Sequence, residues 1–113
     1  MIIKQFPQML TKTMSYQMTN GKNNERMKDY AGEDIKAVAY IVFEDVKQDG
    51  STLPVVCIYT DDKHYISSNS QSFVRDFIKL CDVWENEELP SFRPTICKSS
   101  KGREYLTLTV IPD

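Results

Sequence analysis

Apolar residues recur along the chain in runs whose spacing predicts several strands and one helix. The run from Ile35 to Val46 is apolar on both faces, which is typical of a strand buried on both sides or bending between two sheets. A second strand is predicted over Leu53 to Thr60, and a short third strand over His64 to Ser67. Turn-forming residues at Gln48–Ser51 and Asp61–Lys63 separate the three, so they are expected to form an antiparallel meander.

The clearest helix follows the third strand. Asn69 or Ser70 is expected to cap it, and it should stop before Asn86–Pro90 because the residue before a proline avoids helical geometry. Its apolar residues recur at three- and four-residue steps, with charged residues between them, so one face is expected to pack on the core. The apolar residues are Phe73, Val74, Phe77, Ile78, Cys81 and Trp84.

Two more strands are predicted after the helix, over Phe92–Lys98 and Arg103–Ile111. Between them Ser99–Gly102 reads as a turn in which the glycine takes a positive φ. The last strand alternates with period two, so one set of side chains should face the core and the other the opposite side. The core set is Leu106, Leu108 and Val110, and the opposite set is Tyr105, Thr107 and Thr109.

The order of these elements favours a mainly β fold, a five-stranded OB-fold barrel with one α-helix between strands 3 and 4. An open α+β sheet with the helix on one face has the same element order and is the competing interpretation. Residues 30–113 are expected to form this domain. Residues 1–29 hold all five methionines and are expected to form a partly flexible N-terminal arm. That arm is either a surface-packed terminus or an adaptable arm for oligomerisation or for covering a ligand.

Charge is spread unevenly over the 113 residues, whose net charge is −2. The middle of the chain, residues 31–90, holds twelve acidic and five basic side chains, while both ends are net positive. This balance argues against a general polyanion binder and leaves room for a small basic patch where the two ends meet.

The three cysteines and the N-terminal residues indicate a cytoplasmic protein. Cys57, Cys81 and Cys97 are odd in number and widely spaced, which is typical of reduced, buried thiols. No stretch reaches the roughly 20 apolar residues of a membrane span, and the first residues lack the apolar core of a signal peptide. The expected location is the cytoplasm, or the host cytoplasm if the gene belongs to a phage, with no membrane partner.

Cations and aromatic rings are combined at the end of the chain and on the middle strands. An OB-fold binds through its strands 2 and 3 and through the loops that join strands 1–2 and 4–5. Cationic side chains neutralise phosphates, and aromatic rings stack on bases without regard to sequence. The predicted nucleic-acid-binding residues are Lys98, Lys101, Arg103, Tyr105, Tyr59, Tyr65, Lys63 and Thr107.

Two short motifs resemble those of a known family. The first is Tyr65-x-Ser67-Ser68-Asn69-Ser70 leading into a helix that begins Phe73-Val74, and the second runs from Ser100 to Leu108. With them the stretch from Asp34 to Asp113 resembles small single-stranded-DNA-binding proteins of bacteriophages and mobile elements of Gram-positive bacteria. The resemblance implies an OB-fold that coats DNA during replication or recombination. It points to Lys98, Lys101, Arg103, Tyr105 and Tyr65 as contacts.

The sequence motifs bear on whether the chain is an enzyme and on which partner it binds. No phosphate-binding loop, nucleophile motif or metal-ligand spacing is present, so we expect neither an enzyme nor a cofactor nor a metal. The partners expected are single-stranded DNA, replication or recombination proteins and a second copy in a homodimer. The alternative is a small acidic protein that masks a host nucleic-acid-binding enzyme. Its contact residues would be Asp29, Glu33, Asp34, Glu44, Asp45 and Asp49.

Overall fold

The computed structural model describes residues 2–20 and 23–112. In chain order the elements are β1 (Ile2–Phe6), α1 (Lys12–Asn20), β2 (Glu25–Arg26), a 3₁₀ helix (Met27–Tyr30), β3 (Ala37–Val46), β4 (Thr52–Thr60), β5 (Tyr65–Ser68), α2 (Gln71–Val83), β6 (Phe92–Lys98) and β7 (Glu104–Val110). The last six of these, from β3 to β7 with α2 among them, lie where the apolar pattern predicts strands and a helix. The coarse prediction of a mainly β chain is therefore confirmed.

The ends of α2 are set by local backbone geometry. Ser70 takes the N-cap position, as predicted, although its hydroxyl lies 3.2 Å from that of Ser72 and does not bond to the backbone. After Val83 the chain leaves the helix, and Glu85 and Asn86 adopt φ values of 57° and 60°. The Asn86 N–H donates to the Cys81 carbonyl at 2.7 Å, which satisfies a carbonyl at the end of the helix.

Two glycines make the hairpins possible. Gly50 joins β3 to β4 with φ of 85°, and Gly102 joins β6 to β7 with φ of 80°. The positive φ predicted for Gly102 is therefore confirmed. The first turn is tied by Asp49, whose carboxylate accepts hydrogen bonds from the N–H and the hydroxyl of Ser51. Both hairpins thus end in tight turns.

The main core lies between the sheet and α2. The helix buries four of the six predicted side chains, Phe73, Val74, Phe77 and Cys81. Ile78 is partly buried, and Trp84 follows the last helical residue and is 39% exposed, so its predicted place on the buried face is wrong. Phe77 is fully buried, and its ring centroid lies 5.5 Å from that of Tyr40 and 6.0 Å from that of Phe92. The sheet and the last hairpin complete this core with Tyr40, Val42, Val56, Ile58, Ile66, Phe92 and Leu106.

A closed barrel is not formed, so that prediction is wrong. The described residues form a five-stranded sheet in the order β1-β3-β4-β5-β2 and a separate two-stranded ladder of β6 with β7. Closure would require β7 on the free edge of β5, but β2 occupies that edge in a parallel pair, with Arg26 opposite Ser67. The two ladders are joined by an isolated bridge between Ile35 and Phe92. The described fold also has two α-helices, where the sequence predicted one.

The N-terminal segment packs on the same sheet. β1 pairs antiparallel with β3, with Phe6 opposite Tyr40, and its Lys4 Nζ donates to Asp82 of α2 at 2.6 Å. α1 contacts β3, β4 and β5 on the sheet face opposite α2. Gly21 and Lys22, which belong to the predicted N-terminal arm, lie outside the described residues.

The cysteines are free thiols, and all three lie in the described ranges. Cys57 and Cys81 are buried, as predicted, while Cys97 is half-buried. Burial raises the pKa of both the Cys57 and the Cys81 thiols to about 12, which keeps them protonated at neutral pH. Among the described residues, no helix is long and apolar enough to span a membrane.

Candidate nucleic-acid interface

A cleft of about 580 Å³ opens where the barrel would close, between the start of α2 and the β6–β7 hairpin. One wall comes from β2 and the 3₁₀ helix, a second from the β5–α2 connection, and a third from β6 and β7. The β3–β4 hairpin closes the end. The cleft is lined by Arg26, Met27, Lys28, Asp45, Val55, Ser67, Ser68, Asn69, Ser70, Ile96, Glu104, Tyr105 and Leu106.

Tyr105 is the predicted site residue that the cleft contains. Its side chain is 41% exposed, so part of its ring is free to contact a ligand. Ile96, 38% exposed, adds apolar surface on the same hairpin, and buried Leu106 and Met27 form the base of the cleft. The lining thus combines an aromatic ring and apolar surface with the hydroxyl and amide groups of the β5–α2 connection.

The cations of the cleft come from a part of the chain that sequence reasoning left out. Arg26 and Lys28 line it because the short parallel pairing of β2 with β5 holds this segment beside the start of α2. A two-residue strand carries no periodic signal, so their positions could not have been predicted from the pattern. The net positive charge of residues 1–30 was the available hint. Arg26 also pairs with Asp29 at 3.4 Å.

Lys98, Lys101 and Arg103 lie together at the tip of the β6–β7 hairpin. All three are exposed, and the ion pairs found within residues 2–20 and 23–112 include none of them. Arg103 is two residues from Tyr105, so the hairpin leads from its cationic tip directly to the cleft. Five of the predicted residues therefore lie on one hairpin, with Lys98, Lys101, Arg103 and Tyr105 toward its tip and Thr107 further along β7.

Tyr59 and Tyr65 meet each other but do not line the cleft. They are cross-strand partners on β4 and β5, with ring centroids 4.6 Å apart and planes inclined by 46°. Tyr65 packs against a second, smaller cluster under α1, and burial raises its pKa. The pair therefore lies on the sheet face opposite α2, and α1 borders it.

Thr107 and Lys63 are placed away from the cleft lining. The Thr107 hydroxyl donates a hydrogen bond to the Asp76 carboxylate on α2, so this side chain joins the hairpin to the helix. Lys63 is exposed in the β4–β5 turn, where it adopts a φ of 70°. Neither residue is among those that line the cleft.

The single histidine belongs to a small polar cluster behind the cationic wall. His64 Nδ1 donates to one oxygen of Glu25 at 2.6 Å, and the Tyr30 hydroxyl donates to the other at 2.6 Å. The carboxylate of Asp62 lies 3.7 Å from His64 Nε2. Glu25 and Tyr30 flank the segment that carries Arg26 and Lys28, so these hydrogen bonds connect that segment to His64.

The cluster shifts the pKa values of its members. The hydrogen bond to Glu25 raises the pKa of His64 above its ordinary value of 6.5. The hydrogen bonds from Tyr30 and then from His64 lower the pKa of Glu25, and the bond to Glu25 raises the pKa of Tyr30 to about 12. The charged pair of His64 and Glu25 therefore contributes most to stability at pH values between the ordinary pKa of a glutamate and that of a histidine.

Stability is expected to fall as pH rises past neutrality because of this pair. A raised His64 pKa contributes stability that is complete below 6.5 and is lost as pH rises through the raised value. The lowered Glu25 pKa contributes above the ordinary range of glutamate and is lost on acidification. Urea unfolding of the native chain and of Glu25→Gln between about pH 6 and about pH 8.5 measures this effect. The difference in free energy of unfolding between the two proteins should become smaller as pH rises. A difference that stays constant over this range contradicts the assignment.

In the described part of the chain, no three His, Cys, Asp or Glu side chains are grouped so that they could hold a metal ion.

Nothing matched this chain in comparisons with protein-family models, curated proteins and solved structures. The function must therefore be argued from the cleft and from the surfaces around it.

Proposed function

We propose that this chain binds single-stranded DNA without sequence specificity, in the replication or recombination of a phage or mobile element. The observation that carries the proposal is the cleft, in which the half-exposed Tyr105 lies between two groups of cations. Arg26 and Lys28 form one group, and the hairpin tip with Lys101 and Arg103 forms the other.

The charges around the cleft suggest how a strand would lie. Asp45 and Glu104 are part of the lining and repel phosphates, so the backbone is expected to follow the cationic rims while the bases enter the cleft. A base stacked on Tyr105 gains about 1–3 kcal/mol whatever its identity, since every base has an aromatic face. The hydroxyls of Ser67 and Ser68 can bond to base edges or to phosphates.

The hairpins around the cleft support an OB-like binding mode even though the barrel is open. The β3–β4 hairpin contributes Asp45 and Val55, and the β6–β7 hairpin contributes Ile96 and Tyr105. An OB-fold binds oligonucleotides between its first and last hairpins in the same way. We propose that this chain is an open variant of that arrangement.

The acidic-partner alternative is weaker at one of its residues. Asp34 pairs with Arg93 at 2.8 Å, so this part of the negative surface is neutralised within the chain. A titration with bare single-stranded DNA separates the two functions, because a protein that masks a basic enzyme is expected to have no affinity for DNA alone.

The test is a fluorescence-anisotropy titration with a thymidine oligomer of about 30 nucleotides at about 50 and about 200 mM salt. We expect binding that weakens as salt increases, with much weaker binding to a duplex of the same length. A uridine oligomer of the same length reports whether the strand must be DNA. Absence of binding at micromolar protein would rule out the proposal, and capture of a basic partner by the acidic residues would then be measured.

A further inference from the structure

The sheet face opposite α2 carries a second set of aromatic and apolar side chains, here called the outer face. Cross-strand partners on β3, β4 and β5 place their side chains on the same side of the sheet. The pairs that define the outer face are Phe43 with Val55, Ile41 with Cys57, Cys57 with Ser67, and Tyr59 with Tyr65. This face is separate from the main core, which packs against α2 on the other side.

The outer face runs into the cleft. Val55 and Ser67 belong to both, since each lines the cleft and each has an outer-face partner on the neighbouring strand. Tyr65 is two residues before Ser67 on β5, so it follows along the same face of the same strand. Beneath α1 the outer face therefore continues from Val55 and Ser67, at the cleft, to the Tyr59–Tyr65 pair.

α1 lies across this part of the outer face. Within α1, every residue of which is described, Met18 is the one buried side chain, and it packs with Ile41, Phe43 and Cys57. Leu10, just before the helix, packs on the same small cluster. α1 thus occupies the position on the outer face that a nucleobase would need.

α1 is held weakly compared with α2. It has nine residues, below the roughly 12–15 at which an isolated helix becomes marginally stable in water. Tyr16 is 69% exposed and adds little to the packing. The main core contains no α1 residue among its buried members, so moving α1 leaves that core intact. Displacement of α1 therefore disrupts one small apolar cluster and the hydrogen bonds that join Gln17 of α1 to Asn24.

We propose that the outer face beneath α1 is a second base-stacking site for unstacked nucleobases, opened when a long single strand displaces α1. This rests on the proposed DNA-binding function and extends it by a site and its control. A short strand fills the cleft alone, while a longer strand competes with Met18 for the rings of the outer face. Only chains in which α1 is displaced can bind at the second site, so the apparent affinity for long strands is the intrinsic affinity multiplied by the fraction of those chains.

A reversible cross-link tests this in the full-length chain. Met18→Cys places a thiol in the cluster that contains the native Cys57, and Cys97→Ser removes the half-buried thiol. Oxidation then fixes α1 on the sheet, and reduction releases it. We expect the oxidised protein to bind a thymidine oligomer of about 30 nucleotides about tenfold more weakly than the same protein after reduction. An oligomer of about six nucleotides should bind both forms equally.

Two further measurements keep the test informative if the cross-link forms incompletely. Met18→Ala loosens α1 and is expected to tighten binding of the long oligomer about threefold relative to the native chain. Amide hydrogen exchange of α1 in the native chain should become faster when the long oligomer binds, although ligands normally slow exchange.

The outcomes separate this inference from the proposed function. If the long oligomer binds equally to oxidised and reduced protein and also protects α1 from exchange, the second site does not exist and the cleft remains. If the native chain and the reduced variant bind neither oligomer, the DNA-binding function itself fails. Native chain treated with the same oxidant is the control for effects on the other thiols.

Discussion

Replacing Lys101 and Arg103 together by alanine is expected to weaken binding to single-stranded DNA about 25-fold at about 0.1 M salt. Both side chains are exposed at the β6–β7 hairpin tip, beside the cleft that contains Tyr105. Removing one phosphate-binding cation from a single-strand complex lowers the slope of log affinity against log salt concentration by about 0.7. Removing both cations therefore flattens the slope by about 1.4. Because about 0.1 M salt is one log unit below 1 M, the affinity there falls by about 1.4 log units, which is about 25-fold.

The measurement is the anisotropy titration over a salt series, with a matched control for charge. Arg75→Ala with Lys79→Ala removes the same charge from the exposed face of α2, outside the cleft lining. This control is expected to bind nearly as the native chain does. Equally weakened binding in both double variants would mean that total charge matters and the hairpin tip does not.

Tyr105→Ala supplies a contrast with the charge variant. Removing the ring takes away stacking and leaves the phosphate-binding cations in place, so affinity should fall while the salt slope stays unchanged. A changed slope in this variant would mean that the hairpin had changed its conformation. The two variants together divide the affinity of this hairpin into its electrostatic and stacking parts.

Phe77→Ala is expected to lower the free energy of unfolding by about 3–5 kcal/mol, the largest effect predicted for stability. Phe77 is fully buried, and its ring packs against Tyr40, Phe73 and Phe92 at centroid distances of 5.5 to 6.0 Å. The variant leaves a cavity where α2, the sheet and β6 meet, and surrounding side chains close it only in part.

Urea unfolding followed by circular dichroism measures the destabilisation, with Val83→Ala as the control on the same helix. Val83 is 71% exposed, so its truncation should change stability by less than about 0.5 kcal/mol. A decrease below about 1 kcal/mol for Phe77→Ala would show that the aromatic cluster is not the centre of the core. The denaturant slope should stay unchanged, because the variant exposes no additional surface in the native state.

Local patterns predicted the second half of the chain well. The three- and four-residue recurrence of Phe73, Phe77 and Cys81 predicted α2, and the alternation around Leu106 predicted the buried side of β7. Gly102 predicted the turn between β6 and β7. Each of these signals is carried by residues close together in the sequence, since they report backbone geometry and the burial of one face.

Long-range pairing was not predictable in the same way. β2 has two residues, Glu25 and Arg26, and it takes the edge of β5 that a barrel would have closed with β7. α1 has one buried residue and lacks an apolar stripe, so its pattern gave no helix signal. Both elements gain their stability from the sheet on which they pack, and the amino-acid pattern contains little trace of it.

Some residues of the candidate site were predictable from local sequence, and others depended on long-range contacts. The sequence alone determined that Lys98, Lys101, Arg103 and Tyr105 share one hairpin, because neighbours on a two-stranded ladder stay together whatever the rest of the fold does. Only the tertiary structure decided that Arg26 and Lys28 face that hairpin across a cleft and that α1 lies over the cluster against which Tyr65 packs. Those placements depend on which edge and which face of the sheet each N-terminal element covers. That choice is settled by competition among distant segments for the same surface.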